Sequence, residues 1–290
     1  MMIEEEIVDE IVVTGSDGYI NSRLIAYLRR FGKRVAVTDM FDKASPLYLD
    51  LADSMSFDYA CLAPGTMVVV CAAISSPDVC KNQYELAYRV NVSGTVEFIR
   101  SCLERGCRIV FFSSDTVFGG SGEGIVFDEN SLRTPVGEYG FMKKEVEDAF
   151  LGVPGFIALR LSYVVSRYDK YTSYLLDCAS KGQVAEVFDP LERSAVALGD
   201  VLDVILSLAG MAPDQMPQAC NLCGPECVSR LEMAAACKEV LAPALEWRVV
   251  VPGEPFYQAR PKRIELVSRH LEKILSRNPK SVREEYASIY

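Results

Sequence analysis

The stretch that decides the fold is Ile11-Val12-Val13-Thr14-Gly15-Ser16-Asp17-Gly18-Tyr19-Ile20-Asn21. It joins an apolar strand, predicted over residues 10–14, to a helix predicted over residues 22–31. Gly15 permits a tight turn, and Gly18 lets the backbone approach a phosphate group, which the free N–H groups and the dipole of the following helix attract. Asn21 stands where this type of motif usually has a third glycine. We therefore expect the helix to be slightly displaced and the phosphate-bearing ligand to be held more weakly.

The rest of the chain's first half repeats this alternation of short apolar strands and longer amphipathic stretches, which is typical of βαβ units on a parallel sheet. Strands are predicted over residues 34–38, 66–72, 108–113 and 155–161, and helices over residues 82–105 and 137–151. Beyond residue 165 the alternation weakens, with helices predicted over residues 171–179, 201–208 and 230–241 and short strands over residues 184–188 and 247–251. The pattern predicts an α/β fold: a Rossmann doubly wound parallel sheet over residues 1–165 and a smaller C-terminal α/β substrate lobe over residues 166–290, interleaved at the strand boundary.

A single carboxylate ends the second predicted strand. Asp39 stands where an acidic side chain can accept hydrogen bonds from an adenosine ribose and would repel a 2′-phosphate. The glycine turn and Asp39 together predict a dinucleotide site that takes NAD in preference to NADP. Either feature alone would also fit a loop without a ligand.

A candidate catalytic pair lies on the helix predicted over residues 137–151. Tyr139 and Lys143 are four residues apart and therefore share one face of that helix. An ammonium close to a phenol favours the phenolate, so the pair suits proton transfer to or from a hydroxyl or a carbonyl. Upstream, a buried strand ends in Ser113-Ser114-Asp115, and a hydroxyl there can hydrogen-bond a reacting oxygen in the ligand crevice. The alternatives are a surface Tyr–Lys pair and a serine that only caps the strand end.

Composition and charge exclude several classes of function. Of 290 residues, 50% are hydrophobic and 24% are charged, which is ordinary for a globular protein with a sizeable core. The formal net charge of -10 argues against general binding to nucleic acid or to anionic membranes. The N-terminus is acidic where a secretory leader would be basic, and no apolar run is long enough to span a bilayer. We therefore expect a cytoplasmic protein with no nucleic-acid or membrane partner.

The ten cysteines are scattered, and several stand inside apolar runs, which indicates small, reduced core residues. The tightest cluster is Cys220, Cys223 and Cys227. A zinc site would need a fourth ligand, and the only histidine, His270, is far away in the sequence. We predict no metal site.

Taken together, the motifs resemble the extended short-chain dehydrogenases/reductases over nearly the whole chain. The resemblance rests on Val13–Gly18, Asp39, Asp50-Leu51, Cys71-Ala72-Ala73, Asn91–Thr95, Ser113-Ser114, Tyr139 with Lys143, Glu192–Asp200, Asn221–Glu226 with Ser229, and Ala259-Arg260-Pro261. Within that superfamily the chain looks most like the dTDP-4-dehydrorhamnose reductases, through Ser113–Phe118, Glu129, Pro135 and Tyr139–Glu147. Thr116 departs from that group, which often has Tyr near the sugar, and this leaves the sugar specificity open.

The resemblance implies a role for each matching residue. The catalytic residues would be Tyr139 as the proton donor, Lys143, which tunes Tyr139 and holds the nicotinamide ribose, and Ser114, which steadies the reacting carbonyl. The NAD or NADP site would comprise Gly15, Asp17, Gly18, Tyr19, Ile20, Asp39, Asp50, Leu51, Cys71, Ala72, Ala73, Asn91, Tyr139 and Lys143. A sugar-nucleotide substrate would lie against Ser75, Ser114, Asp115, Thr116, Arg193 and Arg260, with the two arginines on its diphosphate.

The resemblance also implies a reaction: hydride transfer to the C4 carbonyl of a nucleotide-linked 4-keto-6-deoxy sugar. Two alternatives stay open. A sugar-nucleotide epimerase or dehydratase would use the same three residues with retained NAD, and Asp39 favours it. A non-catalytic NAD(P)-binding regulatory subunit is favoured by Asn21 and opposed by the intact catalytic residues. Many relatives dimerise through the helices that correspond to residues 82–105 and 137–151, so a homodimer is expected. The alternative is that the apolar residues of both helices all face the sheet.

Overall fold

The computed structural model describes residues 10–120, 122, 124–258 and 260–288. The acidic stretch Met1–Glu6 and Ala259, both used above, lie outside the described residues. The strands are β1 (Glu10–Thr14), β2 (Arg34–Thr38), β3 (Met67–Val70), β4 (Arg108–Ser114), β5 (Val126–Phe127), β6 (Phe156–Leu161), β7 (Val164–Val165), β8 (Val184–Phe188), β9 (Glu192–Arg193), β10 (Val196–Ala197), β11 (Ala219–Leu222), β12 (Val228–Ser229), β13 (Glu246–Val250) and β14 (Arg263–Leu266).

The α-helices are α1 (Tyr19–Arg30), α2 (Pro77–Asn82), α3 (Tyr84–Tyr88), α4 (Thr95–Glu104), α5 (Glu138–Phe150), α6 (Lys170–Ser180), α7 (Leu198–Ala209), α8 (Arg230–Val240), α9 (Glu254–Tyr257), α10 (Leu271–Leu275) and α11 (Val282–Ala287). A π-helical segment spans Arg89–Gly94, and short 3-10 segments span Leu51–Ser56, Tyr59–Cys61, Asp115–Val117 and Pro213–Gln215. Among the described helices, none combines the length and the apolarity that crossing a bilayer requires.

Six strands form a parallel sheet in the order β11-β6-β4-β3-β1-β2. Because β1 lies between β2 and β3, the strand order reverses there, and open α/β sheets bind ligands at the carboxyl ends of the strands beside such a point. Every residue of β3 and of β6 is buried, as expected for strands of a sheet covered on both faces. The predicted doubly wound α/β class is confirmed.

The chain divides into two compact units. The first consists of the chain up to Phe112 together with Glu145–Ala158 and Leu206–Gln218. The second consists of Ser113–Lys144, Leu159–Ile205 and Ala219–Tyr290, and it contains the small sheets β12-β9-β14-β5, β13-β8 and β10-β7. These units are defined by packing and not by ligands, so the division at residue 165 into nucleotide and substrate regions stays a prediction.

The prediction of a single helix over residues 82–105 is wrong. Gln83 has a non-helical conformation (φ -125, ψ 49) and separates α2 from α3. The π-helical segment then joins α3 to α4. Gly94 ends that segment against the carbonyl of Leu51, so close that a Cβ on Gly94 would lie 1.6 Å from the Leu51 oxygen. Hydrophobic periodicity cannot show a contact between two distant backbones.

We predict that Gly94→Ala lowers the free energy of unfolding by about 3 kcal/mol or more, because the Leu51 backbone has to move to admit the methyl group. Denaturant unfolding of the purified protein measures this. Gly210→Ala is the matched control: the nearest atom to its added Cβ, the Ser207 oxygen, is 3.8 Å away, and we expect little change. Equal stability of the two variants would contradict the close approach at Gly94.

Candidate active site

In the first unit, one hydroxyl joins the carboxyl ends of two strands. Thr14 Oγ1 accepts hydrogen bonds from the backbone N–H of Cys71 (2.9 Å) and of Ala72 (3.0 Å). The N–H of Gly15 donates to Thr38 Oγ1 at 3.2 Å, which ties in the end of β2. Gly15 has φ 80, a left-handed conformation that glycine adopts without strain. The ends of β1, β2 and β3 are therefore held in register around the glycine turn.

The turn leads directly into α1. Gly18 is the N-cap residue, and among the described residues no side chain caps the first turn, which begins with Tyr19 and Ile20. Ser16 Oγ instead donates to Asp17 Oδ1 at 2.7 Å. Because the first N–H groups of a helix have no partner within the helix, this end of α1 is suited to an anionic ligand.

Asn21 replaces the usual glycine without leaving its own side chain unpaired. It is buried, and its Nδ2 donates to the carbonyl oxygens of Thr14 and Gly15, both at 3.0 Å. A Cβ on Gly18 would lie 3.1 Å from the Asn21 amide, so any side chain at this position would press on that amide. Asn21 thus ties the glycine turn to α1. The expected displacement of the helix and the weaker ligand binding stay predictions.

Carboxylates shape the backbone after β2. Asp39 Oδ1 accepts from the N–H of Phe41 at 2.8 Å, and Asp50 Oδ1 accepts from the N–H of Ala52 at 2.8 Å. Leu51, which follows Asp50, is buried. Asp39 is half-buried at the end of β2, and its role as a ribose partner stays a prediction.

The segment after β3 is fixed by Asn91. The Asn91 side chain accepts from the N–H of Ile74 (2.8 Å) and donates to the Ile74 carbonyl (2.9 Å). These two bonds hold the stretch that contains Cys71, Ala72 and Ala73, while Ser75 is exposed. Asn91 therefore acts on this stretch as a backbone clamp from inside the protein, where it is 2% exposed.

In the second unit, Ser114 ends β4 and begins a tight turn. Ser114 Oγ accepts from the N–H of Thr116 at 3.2 Å and from Thr116 Oγ1 at 3.0 Å. It donates to Asp115 Oδ1 at 3.2 Å. The turn thus links three consecutive residues that the resemblance assigns to the substrate site.

Asp115 is buried and paired with Arg193. The Arg193 Nε lies 3.5 Å from Asp115 Oδ2, and Ser162 Oγ donates to the same oxygen at 3.2 Å. Burial raises the pKa of Asp115, while Arg193 and the hydroxyl donors act in the opposite direction. Burial likewise lowers the pKa of Arg193, which Asp115 opposes. This is the electrostatics of a desolvated ion pair.

Helix α5 places Tyr139 and Lys143 one turn apart. Lys143 is 3% exposed, and its Nζ lies 5.6 Å from the centre of the Tyr139 ring. A Cβ on Gly140 would lie 2.3 Å from the carbonyl oxygen of Thr116. Only glycine at this position lets the first turn of α5 rest on the backbone that follows Ser114. The Tyr–Lys pair and the serine turn are therefore adjacent elements of one unit.

The two predicted diphosphate arginines differ in their surroundings. Arg193 donates through its Nη atoms to the carbonyls of Glu192 (2.6 Å) and Pro261 (2.8 Å). Arg260 lies with its guanidinium 5.1 Å from the centre of the Phe256 ring. A cavity of about 710 Å³ opens beside Glu192 and Pro261. Its lining residues are Gly119, Gly120, Gly122, Val136, Glu192, Tyr257, Gln258, Pro261, Lys262 and Arg263.

Sequence reasoning missed two residues of this region. Ser162 directly follows β6, and the argument that pointed to Ser114, a hydroxyl at the carboxyl end of a buried strand, would have found it. Arg230 lies 3.8 Å from the Tyr163 ring centre and 4.4 Å from that of Tyr171, and no local motif marks it. Among the described residues, no group of three or more His, Cys, Asp or Glu side chains is placed to hold a metal ion.

The chain is similar to known proteins over its whole length. The profile of the family described as "RmlD substrate binding domain" matches residues 9–290. A dTDP-4-dehydrorhamnose reductase of Mycobacterium tuberculosis is 26% identical over 207 residues, which cover 69% of this chain and 66% of that protein. The matched region thus spans about two thirds of that relative's length.

Two further comparisons cover more of the chain. The beta subunit of methionine adenosyltransferase 2 from Rattus norvegicus is 24% identical over 286 residues, 93% of this chain and 85% of that protein. A crystal structure of dTDP-4-dehydrorhamnose reductase from Bacillus anthracis in complex with NADP superposes with a TM-score of 0.81 at 18% identity, covering 96% of this chain and 97% of that one. At this identity the structural likeness shows the shared fold.

We predict that Asn21→Ala lowers the free energy of unfolding by about 1–3 kcal/mol, because two carbonyls lose their donor in a largely buried site. Chemical denaturation gives the value. Ser22→Ala serves as the control, since its exposed Oγ donates to the Gly18 carbonyl in the same turn, and we expect a change within about 0.5 kcal/mol. If Asn21→Ala were as stable as the parent protein, the side chain would not be tying the turn to α1.

Proposed function

Because the chain belongs to the RmlD substrate binding domain family, we propose that it is an NAD(P)-dependent reductase of a nucleotide-linked 4-keto-6-deoxy sugar. The observation that supports this most directly is the packing of α5 on the serine turn, through Gly140 and the Thr116 carbonyl. It places Tyr139 and Lys143 in the same unit as Ser114, next to the turn that Ser114 begins. In the proposed reaction, these three side chains handle proton transfer to the substrate's carbonyl.

The residues of the first unit fit a nicotinamide dinucleotide. Gly15 and Gly18 leave room for a pyrophosphate at the uncapped start of α1, and Asp39 offers its carboxylate to the adenosine ribose. Asp17, Tyr19 and Ile20 lie along the same turn, and the other proposed contacts are Asp50, Leu51, Cys71, Ala72, Ala73 and Asn91. When bound, the nicotinamide would supply hydride to the substrate.

The chain's own catalytic residues handle the proton and the developing charge. Tyr139 Oη donates its proton to the carbonyl oxygen as that oxygen gains negative charge, and the buried ammonium of Lys143 favours the phenolate that remains. Ser114 Oγ hydrogen-bonds the same oxygen. The net result is that one carbonyl becomes a hydroxyl, with the proton coming from Tyr139 and later replaced from solvent.

The substrate is proposed to lie along the second unit. Arg193 and Arg260 would hold its diphosphate, with Asp115 and Thr116 near the sugar. The cavity of about 710 Å³ beside Glu192 and Pro261 falls within the size range of small-molecule sites. Binding energy from the diphosphate would orient the sugar for reaction.

We further propose that the chain works as a cytoplasmic homodimer. All ten cysteines are free thiols, as expected in a reducing compartment. Tyr84 and Leu86 of α3 and Phe141 of α5 are exposed, and Tyr88 Oη donates to Glu145 of α5 at 2.6 Å. Exposed apolar side chains on two linked helices are suited to burial against a second copy.

We expect Tyr139→Phe to lower kcat about 100-fold or more, because the proton donor is lost, while the affinity for NADH or NADPH stays within a few-fold. Steady-state assays with dTDP- and UDP-linked 4-keto-6-deoxy sugars measure kcat, and fluorescence titration measures the cofactor affinity. Tyr27→Phe, whose ring packs on Phe31 in α1, is the control and should keep full turnover. Parent-level turnover in Tyr139→Phe would exclude this residue as the acid.

We expect the protein to bind NADH at least about tenfold more tightly than NADPH, because Asp39 repels a 2′-phosphate. In the same fluorescence titration, Asp39→Ser should bring the affinities for NADH and NADPH closer together, mainly through tighter NADPH binding. Asp42→Ser is a matched control, since the Asp42 carboxylate makes the same kind of turn bond, to the N–H of Ala44 at 3.0 Å. A parent protein that prefers NADPH would show that Asp39 does not select the cofactor.

A further inference from the structure

The hydroxyl of Ser114 has no hydrogen-bonding capacity left for a substrate. A serine hydroxyl has one proton to donate and two lone pairs to accept with. Both acceptor positions are taken by Thr116, through its N–H and its Oγ1, and the proton goes to Asp115 Oδ1. Ser114 can therefore donate a hydrogen bond to a substrate oxygen only when it no longer donates one to Asp115.

Within the described part of the chain, one cation faces Asp115, together with hydroxyl and N–H donors. They are Arg193 on β9, Ser162 after β6, and Ser114 and Thr116 on its own turn. Burial alone would favour the protonated acid, since desolvation raises the pKa of Asp115. Arg193 has the largest effect in the opposite direction. The ionised form of Asp115, which holds the Ser114 proton, is therefore favoured mainly by Arg193.

Arg193 itself has N–H groups to offer an anion. A guanidinium has five N–H donors, and the contacts described above use three of them: one toward Asp115 and two toward the neutral carbonyls of Glu192 and Pro261. A second guanidinium, that of Arg230, adds positive charge that lowers the pKa of Arg193 further. The contacts with described residues thus leave two N–H donors for an anion that reached Arg193, and this anion would compete with Asp115 for the same cation.

We propose that Asp115 is a positioning residue that links the arrival of an anionic nucleotide at Arg193 to the availability of the Ser114 hydroxyl. This inference rests on the proposed function, in which Arg193 holds a diphosphate. Negative charge beside Arg193 destabilises the Asp115 carboxylate, which takes up a proton from solvent to form an O–H bond. Once Asp115 is protonated, it is a weaker acceptor for the Ser114 hydroxyl. The Ser114 O–H bond can then rotate and donate its hydrogen bond to the substrate's carbonyl oxygen.

The direct test is the number of protons taken up on binding. Isothermal titration of the whole protein with UDP-glucose and dTDP-glucose, near neutral pH and in buffers of different ionisation enthalpy, measures it. The diphosphate of these probes has no ionisable proton near neutral pH. We expect the parent protein to take up a measurable fraction of a proton per nucleotide bound, and Asp115→Asn to take up none. A purely structural role for Asp115 would not produce this loss.

Two controls isolate the carboxylate. Asp128→Asn removes another aspartate that is paired with an arginine and a serine, Arg269 and Ser131, and it should leave the uptake unchanged. His270→Gln removes the only histidine of the chain and should also leave it unchanged. If Asp115→Asn fails to fold, as thermal unfolding would show, uptake that persists in His270→Gln still supports the proposal.

The outcomes separate the inference from the proposed function. Tight binding with no proton uptake by the parent protein would overturn the proposed link through Asp115, and so would uptake that survives in folded Asp115→Asn. Neither outcome would contradict the proposed function. If neither sugar nucleotide binds, the proposed function fails and the inference fails with it.

Discussion

The hydroxyl of Thr14 is the contact on which the glycine turn of the first unit depends. Beyond Val70 the chain leaves the sheet, and the N–H groups of Cys71 and Ala72 need a partner, since backbone donors away from water are costly to leave unpaired. Thr14 Oγ1 accepts both of them. The end of β1 and the end of β3 are thereby fixed side by side at the point where the strand order reverses, and Gly15 turns away from that fixed point toward α1.

Asn21 and Gly18 form a complementary pair around the same turn. The Asn21 amide satisfies two carbonyls at the base of the turn, and Gly18 has no side chain to collide with it. A motif that looks incomplete in the sequence is therefore internally hydrogen-bonded in three dimensions. The bonds compensate for the extra side chain at the base of the turn.

In the second unit the corresponding constraint is a buried charge. Desolvating Asp115 and Arg193 is expensive, and such pairs are weak contributors to stability. The pair connects an arginine proposed to bind diphosphate with the serine turn at the end of β4, which supports a functional role for the pair.

A different acidic residue, Glu129, has a structural role. Its carboxylate accepts hydrogen bonds from Asn221 N–H, Ser268 Oγ and Arg269 N–H. It thereby joins its own segment to β11 and to the segment that follows β14.

The sequence by itself determined the α/β class, the bounds of β1, β2 and β8, and the helix that places Tyr139 and Lys143 on one face. These follow from the period of apolar residues and from local turn chemistry, which act within a few residues. Only the tertiary structure decided the breaks between residues 82 and 105, the bonds of Asn21, the ring contacts of Arg230 and the pairing of Asp115 with Arg193. Each of these depends on a backbone or a charge that the fold brings near, and local periodicity contains no information about such a neighbour.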